Sequence, residues 1–137
     1  MDIKSVYDIA GRAMAAQLVR LNTVASNLAN AGSTTGDPQT TYKPLKPIFE
    51  TQYSDLVKKN GVATVDAVEV KELEREAIKS FMPSHPSANK EGYVFKAPVN
   101  VDEEMVDMME ASRQYQNNVE VITTLRALTM RTLNIGK

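Results

Sequence analysis

The 137-residue chain contains no cysteine and no tryptophan, and it has a single histidine. Without cysteine, disulfides and thiolate zinc sites are excluded. The sequence also has no glycine-rich phosphate loop, no pair of clustered histidines and no set of nucleophile, histidine and acid. We therefore expect a protein that is not an enzyme, holds no metal or other cofactor, and takes no small-molecule substrate.

An excess of charge of one sign and long apolar runs are also missing. The 16 basic and 17 acidic residues leave a net charge of −1, which argues against binding to nucleic acid or to an anionic membrane surface. No stretch approaches the roughly 20 apolar residues that a membrane-spanning helix requires. The first residues lack the basic and apolar regions of a cleaved secretory signal. We expect a chain that does not span a membrane and that needs another route if it leaves the cytoplasm.

A heptad pattern runs through the first 31 residues. Steps of four and three residues, interrupted only at Gln17, separate its apolar and small members, which are Ile3, Tyr7, Ala10, Met14, Leu21, Val24, Leu28 and Ala31. Such steps predict a helix with one apolar seam. Turn-favouring residues follow from Gly32 to Pro38, so we expect this helix to end at about Asn30.

A second heptad begins near Asn100, where Asp102, Glu103 and Glu104 suit the positive end of a helix dipole. Its seam contains Val101, Met105, Met108, Ser112, Tyr115, Val119 and Ile122. A second stripe lies on another face and contains Val121, Leu125, Leu128, Thr132 and Ile135. One partner helix cannot cover both stripes, and exposed apolar stripes usually mark interaction sites. We therefore expect this helix, which should end at Gly136, to contact other subunits.

The middle of the chain favours strands and turns, because it is rich in proline and its apolar stretches are short. Asn60-Gly61 is a strong hairpin turn signal between Tyr53–Val57 and a valine-rich run that ends at Val70. The segment Glu72–Ser80 could form one or two helical turns. The sequence thus predicts a mainly α fold with a small β element (α+β). Its three parts are an N-terminal helix (1–31), a small β-rich domain with a hairpin (32–99) and a C-terminal helix (100–137).

Two sequence segments resemble the terminal signatures shared by the flagellar axial proteins of rod and hook. The N-terminal segment comprises Asp8-Ile9-Ala10-Gly11 and the run from Arg20 to Ala31, and the C-terminal segment runs from Glu104 to Val119. The short middle, with Met82–Pro86 leading to Gly92-Tyr93-Val94, is similar to proximal-rod members of that family. The resemblance implies a structural subunit of the basal-body rod that polymerises helically with its own copies and with related rod subunits.

The resemblance also implies how such a subunit reaches and occupies the rod. It implies export through the flagellar type III apparatus without cleavage, a rod that crosses the periplasmic space, and contacts with the membrane-ring base. The terminal helices should form an inner coiled-coil layer, with the middle domain outside it. The residues expected at subunit interfaces are Tyr7, Met14, Leu21, Val24, Asn27, Leu28, Asn30, Met105, Met108, Tyr115, Val119, Ile122, Leu125 and Leu128.

Several of the residues named above also have simpler interpretations that involve no subunit contact. The amides in Ser26–Asn30 could merely cap the end of a helix, whereas the resemblance favours hydrogen bonds to the backbone of neighbouring chains. The methionines could suggest copper or haem, but they better suit an adaptable helix seam. Arg20, Arg113, Arg126 and Arg131 are expected to pair with acids across subunits. A different function would be a cytoplasmic adaptor or export chaperone that uses the same seams transiently.

Overall fold

The computed structural model describes residues 3–52 and 64–135. Helix α1 spans Ile3–Asn30 and helix α2 spans Val101–Ile135, which confirms the predicted end of the first helix and the predicted start of the second. Five strands lie between them: β1 (Thr34–Thr35), β2 (Leu45–Gln52), β3 (Thr64–Glu72), β4 (Ile78–Phe81) and β5 (Tyr93–Lys96). A 3-10 turn at Pro38–Thr40 follows β1. The predicted α+β class is confirmed.

The two helices pack against each other in antiparallel directions. Asn27 near the end of α1 contacts Glu104 near the start of α2, and Arg20, earlier in α1, contacts Asp107, later in α2. Small buried residues on both helices, such as Ala10 and Ala111, let the backbones approach closely. No helix in the described ranges is long and apolar enough to cross a membrane.

The start of α2 is fixed by a side-chain cap. The Asn100 Oδ1 atom accepts hydrogen bonds from the backbone N–H groups of Asp102, at 3.1 Å, and Glu103, at 3.3 Å. These N–H groups have no partner within the helix, so the cap satisfies two of its free donors. The three acidic residues of the first turn lie at the positive end of the helix dipole.

Strands β2 and β3 form a two-stranded antiparallel ribbon that packs on α1. Leu45 lies opposite Glu72 and Gln52 opposite Thr64, with a bulge between Ile48 and Phe49. A long antiparallel pair in this region agrees with the predicted hairpin. The expected turn at Asn60-Gly61 and the expected first strand at 53–57 lie outside the described residues.

The other sheet has three strands in the order β1-β5-β4, and both pairings are antiparallel. It lies at the junction of the helices, because β1 closely follows α1 and β5 closely precedes α2. The backbone N–H of Ala97 donates to the Ser33 carbonyl at 3.1 Å. Val94 in β5 and Ala97 just after it are buried, so this sheet anchors both helix ends to the middle of the chain.

The predicted helical turns over Glu72–Ser80 are wrong. Strand β3 continues to Glu72 and β4 begins at Ile78. Between them, the Leu73 N–H donates to the Pro44 carbonyl at 2.7 Å, and β4 pairs along its length with β5. The backbone groups are thus satisfied by other segments, and tertiary pairing overrides a weak local helix preference.

Candidate assembly surfaces

Asn27 lies at the point where α1, α2 and the β2–β3 ribbon meet. Its Nδ2 group donates to the Leu45 carbonyl and to Glu104 Oε1, both at 2.9 Å. Its Oδ1 atom accepts from the Leu45 N–H at 2.8 Å and from the Tyr42 hydroxyl at 2.9 Å. The side chain is 1% exposed. All four hydrogen bonds that an asparagine amide can make are therefore formed inside one chain.

This geometry corrects the expectation that the Asn27 amide reaches the backbone of a neighbouring chain. The amide is buried and fully used, so its role is to join three elements of its own subunit. Asn30 also bonds locally, since its Nδ2 group donates to the Ser26 carbonyl at 2.8 Å. For Asn30 the simpler interpretation, a side chain that caps carbonyls near the end of a helix, agrees with the structure.

Tyr42 and Glu104 complete this junction. The Ser26 hydroxyl lies 3.2 Å from the Tyr42 hydroxyl, which bonds to Asn27. Burial raises the pKa of the Glu104 carboxyl; the Asn27 hydrogen bond opposes that rise, while the charges of Asp107 and Glu103 add to it. No local sequence pattern could identify these partners, because Tyr42 and Glu104 lie 15 and 77 positions from Asn27 along the chain.

Arg20 forms the second polar link between the helices. Its Nη2 atom lies 2.8 Å from Asp107 Oδ1 and 3.5 Å from Glu110 Oε2. The expectation that Arg20 pairs across subunits is therefore wrong for this structure, because its partners are in its own chain. Among the described residues, Arg113, Arg126 and Arg131 have no acidic partner within ion-pair distance.

A cavity of about 340 Å³ lies beside this link, at the root of the ribbon. Its lining includes apolar side chains, such as Phe49 and Leu73, and charged groups, such as Arg75 and Glu103. Arg75 lies 3.8 Å from Glu103. Within the described part of the chain, no group of His, Cys, Asp or Glu side chains is arranged to hold a metal ion.

The larger side chains of the predicted seam of α1 lie mainly on the flank of the helix rather than at the centre of its contact with α2. Successive helical residues are rotated by about 100°, which places Asn27 and Arg20 at the centre of that contact. Val24, beside them, is buried. Ala10 and Ala31 of the predicted seam are buried as well, whereas Tyr7, Met14, Leu21 and Leu28 lie further round and remain half-buried.

The predicted seam of α2 is rotated towards solvent in the same way. The line that faces α1 runs through Glu104, Ala111 and Ile122, with Met108 and Tyr115 half-buried beside it. Met105 is 50% exposed and Val119 is 39% exposed. Of the predicted seam, Met108, Tyr115 and Ile122 therefore pack towards α1, and Met105 and Val119 do not.

The exposed flanks of the two helices lie on the same side of the helix pair. Viewed from its own N-terminus, each helix carries its flank residues clockwise of its contact with the other helix. Because the two helices run antiparallel, their clockwise flanks lie on the same side of the pair. The β2–β3 ribbon covers the opposite side, where Thr23 and Asp107 line the cavity. We call this common surface the seam face. It consists of Tyr7, Met14, Leu21, Leu28, Met105 and Val119.

A separate apolar surface lies near the C-terminal end of α2. Val121 and Leu128 are exposed, and Leu125 is half-buried. Their helical angles place them on the side of α2 away from the seam face. The prediction of a second stripe is thus matched by exposed apolar side chains, and the helix pair carries apolar surface on two different sides.

Comparison with known proteins relates both ends of the chain to one group. Residues 8–36 match the family described as flagella basal body rod protein, and residues 90–135 match the family described as flagellar basal body rod FlgEFG protein C-terminal. The chain is 38% identical to the flagellar basal-body rod protein FlgC of Escherichia coli O6:H1 and of Salmonella typhimurium, over all of both chains. It is 34% identical to FlgC of Aquifex aeolicus, over 100% of this chain and 99% of that protein. These matches extend through the middle domain as well as the two helices, and the chain belongs to the FlgC family of flagellar basal-body rod proteins.

Proposed function

We propose that this chain is a structural subunit of the proximal part of the flagellar rod and polymerises helically with its own copies and with related rod proteins. The observation that carries the proposal is the full-length similarity to FlgC proteins. The exposed apolar surfaces support it, because a subunit that remains alone in water rarely exposes such contiguous surface. The function is mechanical, and the protein catalyses no reaction.

The two helices supply the inner layer of this assembly. Residues 1–31 and 100–137 form that coiled-coil layer, and residues 32–99 form the outer domain. The seam face supports this arrangement, since methionine, leucine and valine side chains at heptad spacing are typical of helix packing between subunits. The proposed contacts on this face are Tyr7, Met14, Leu21, Leu28, Met105 and Val119.

The C-terminal surface of α2 makes a second contact, through Leu125 and Leu128. Because the two surfaces are different and lie on different sides, they bind different surfaces of neighbouring subunits. Contacts of this heterologous kind leave an unsatisfied surface at each end and can continue as a helical filament. Val24, Asn27, Asn30, Met108, Tyr115 and Ile122 support these contacts from within the subunit.

Membership of the same family is also the basis for a proposal on the export route and the location of this chain. We propose that the chain leaves through the flagellar type III export apparatus and assembles in the rod where it crosses the periplasmic space, next to the membrane-ring base. The N-terminal signature over residues 8–36 supports this proposal. The proposal on export and location does not depend on the internal contacts of the folded subunit.

Electron microscopy of purified basal bodies tests the proposed function. Basal bodies from cells that lack the chain should have no complete rod, and the intact gene should restore it. In the restored cells the chain should remain in the basal body after washing with detergent and high salt. Complete rods without the chain, or loss of the chain on washing, would favour the adaptor or export chaperone.

A further inference from the structure

The face of α2 that points away from α1 carries an ordered series of charges. Asp102, Arg113, Glu120 and Arg131 are all exposed. Their spacings of about three, two and three turns keep them within about 20° of one line along the helix. We call this the outward face of α2. It differs from both the seam face and the C-terminal apolar surface.

The signs of these charges alternate along the helix. If a second copy of α2 lies antiparallel against this face, Asp102 meets Arg131 of the second copy and Arg113 meets its Glu120. Two-fold symmetry repeats both pairs, so the contact contains four attractive pairs. A parallel pair in register would place every charge opposite a like charge. The charge order therefore selects one orientation and one register.

The uncharged positions between these residues agree with the same register. Val106 is 63% exposed and Met109 is 71% exposed. In the antiparallel pair Val106 lies opposite Ala127 and Met109 opposite Thr124, so each larger side chain meets a smaller one. Such alternation lets two helices interdigitate. The register thus satisfies packing as well as charge.

The four charges are available for such a contact. No acidic or basic side chain among the described residues lies within ion-pair distance of Asp102, Arg113, Glu120 or Arg131. Residues 102–131 would give a contact about 45 Å long. Because exposed ion pairs are individually weak and are screened by salt, the association should be weak and sensitive to ionic strength.

We propose that the chain forms a closed two-fold dimer through the outward face of α2, with a second copy of the same chain as the partner. This contact is isologous, so it ends at two subunits and cannot extend into a filament. The dimer is therefore a state of the subunit outside the growing rod, and it goes beyond the proposed function. The two proposals are independent, because the dimer uses neither the seam face nor the C-terminal apolar surface.

Charge reversal tests the register. In sedimentation equilibrium on the full chain, Arg113→Glu and Glu120→Arg should each weaken dimerisation at least tenfold relative to the unmodified chain, because each homodimer then contains repulsive pairs. An equimolar mixture of the two variants should regain dimerisation, since the heterodimer pairs opposite charges at both positions. The double variant Arg113→Glu/Glu91→Arg keeps the net charge of the unmodified chain, but it should stay as weakly associated as Arg113→Glu, because the repulsive pairs remain. A monomeric mixture of the first two variants would overturn the proposal.

Cross-linking tests the orientation, and the lack of native cysteine makes it direct. Val106→Cys mixed with Ala127→Cys should give a disulfide-linked heterodimer under mild oxidation, while each variant alone should stay uncross-linked. Covalent homodimers of Val106→Cys alone would indicate a parallel contact and refute the antiparallel register. Circular dichroism of every variant excludes unfolding as the cause. If Arg113→Glu or Glu120→Arg fails to fold, Asp102→Arg with Arg131→Asp provides the same test at the other pair.

Discussion

At the residue scale, Asn27 shows why one side chain type suits a crowded junction. An amide offers two donor hydrogens on nitrogen and two lone pairs on oxygen. At position 27 these groups meet a carboxylate, a hydroxyl, and both the N–H and the carbonyl of Leu45. Aspartate would lose the donors and serine would not reach all four partners. The residue was recognisable from its sequence signature, but its partners lie 15 to 77 positions away along the chain, so no local pattern could identify them.

Replacing Asn27 should therefore destabilise the fold strongly. Asn27→Leu keeps the branched shape of the side chain but leaves the Leu45 backbone groups and the Glu104 carboxylate without their buried partner. We expect a loss of about 2–4 kcal/mol in the free energy of unfolding, because each buried polar group left unpaired costs about 1–3 kcal/mol. Urea unfolding followed by circular dichroism measures this loss. Asn22→Leu, at an exposed position of the same helix, is the control, and an equal effect in both variants would contradict the role of the junction.

The Glu104 carboxyl should make stability depend on pH. Its pKa is raised in the folded state, chiefly by burial, so the folded chain binds this proton more tightly than the unfolded chain. The contribution of Glu104 to the free energy of unfolding must therefore increase as the pH falls. The increase begins above the pKa of Glu104 in the folded chain and is complete below its pKa in the unfolded chain. Glu104→Gln keeps an oxygen that can accept the Asn27 hydrogen bond but cannot titrate.

The difference in unfolding free energy between Glu104→Gln and the unmodified chain should consequently be largest near neutral pH and shrink as the pH falls. A series of urea titrations at different pH values measures it. Glu91→Gln, at an exposed position outside the proposed dimer contact, controls for the loss of one negative charge. A difference for Glu104→Gln that stays constant with pH would show that burial does not perturb the carboxyl in solution.

At the scale of elements, the helices were predictable and the strands only partly so. The heptads define both helices, because a run of about 30 residues repeats the same signal many times. Strand β4 has four residues and is fixed by pairing with β5. The helical turns expected over Glu72–Ser80 rest on Leu73, Ala77 and Ile78, which would share one face of a helix, and this local spacing cannot reveal the pairing. The predicted apolar face of each helix is rotated about the helix axis relative to the face that contacts the other helix in the structure. Polar residues such as Arg20, Asn27 and Glu104 occupy its centre, and a purely apolar pattern assigns them to solvent.

The connection between β4 and β5 depends on Gly92. Its φ is +82°, a conformation that residues with a Cβ atom adopt only with strain. A Cβ atom at this position would lie 2.9 Å from Phe81 Cε2 and 3.1 Å from Pro83 Cβ. We expect Gly92→Ala to reduce the free energy of unfolding by about 1–3 kcal/mol. Gly32→Ala is the matched control, since nothing lies within 4 Å of its Cβ position; equal losses in chemical denaturation would contradict the strain.

At the scale of the whole molecule, the chain is a pair of helices with polar contacts at its centre and apolar side chains on its flanks. The apolar residues buried in the helix pair are mostly small, such as Ala10, Ala16 and Ala111, whereas larger ones such as Met105 and Leu128 remain exposed. The polar centre orients α1, α2 and the ribbon within one subunit. The apolar flanks remain exposed, and burying them would release free energy if, as proposed, neighbouring subunits pack against them.

A charge on the seam face should therefore block assembly without unfolding the subunit. Val119 is 39% exposed in the single chain, so Val119→Asp should leave the helix content and the unfolding free energy nearly unchanged. In the rod the same carboxylate would be buried without a partner in every subunit, at several kcal/mol each, and cells that carry it should form no complete rods.

Leu21→Asp should have the same effect on assembly, although half-burial of Leu21 should also lower the stability of the subunit. Gln39→Asp, exposed in the middle domain, should be tolerated. Motile cells with normal rods containing Val119→Asp would show that the seam face is not a subunit contact, whereas an unfolded Val119→Asp chain would show that Val119 belongs to the core of the single subunit.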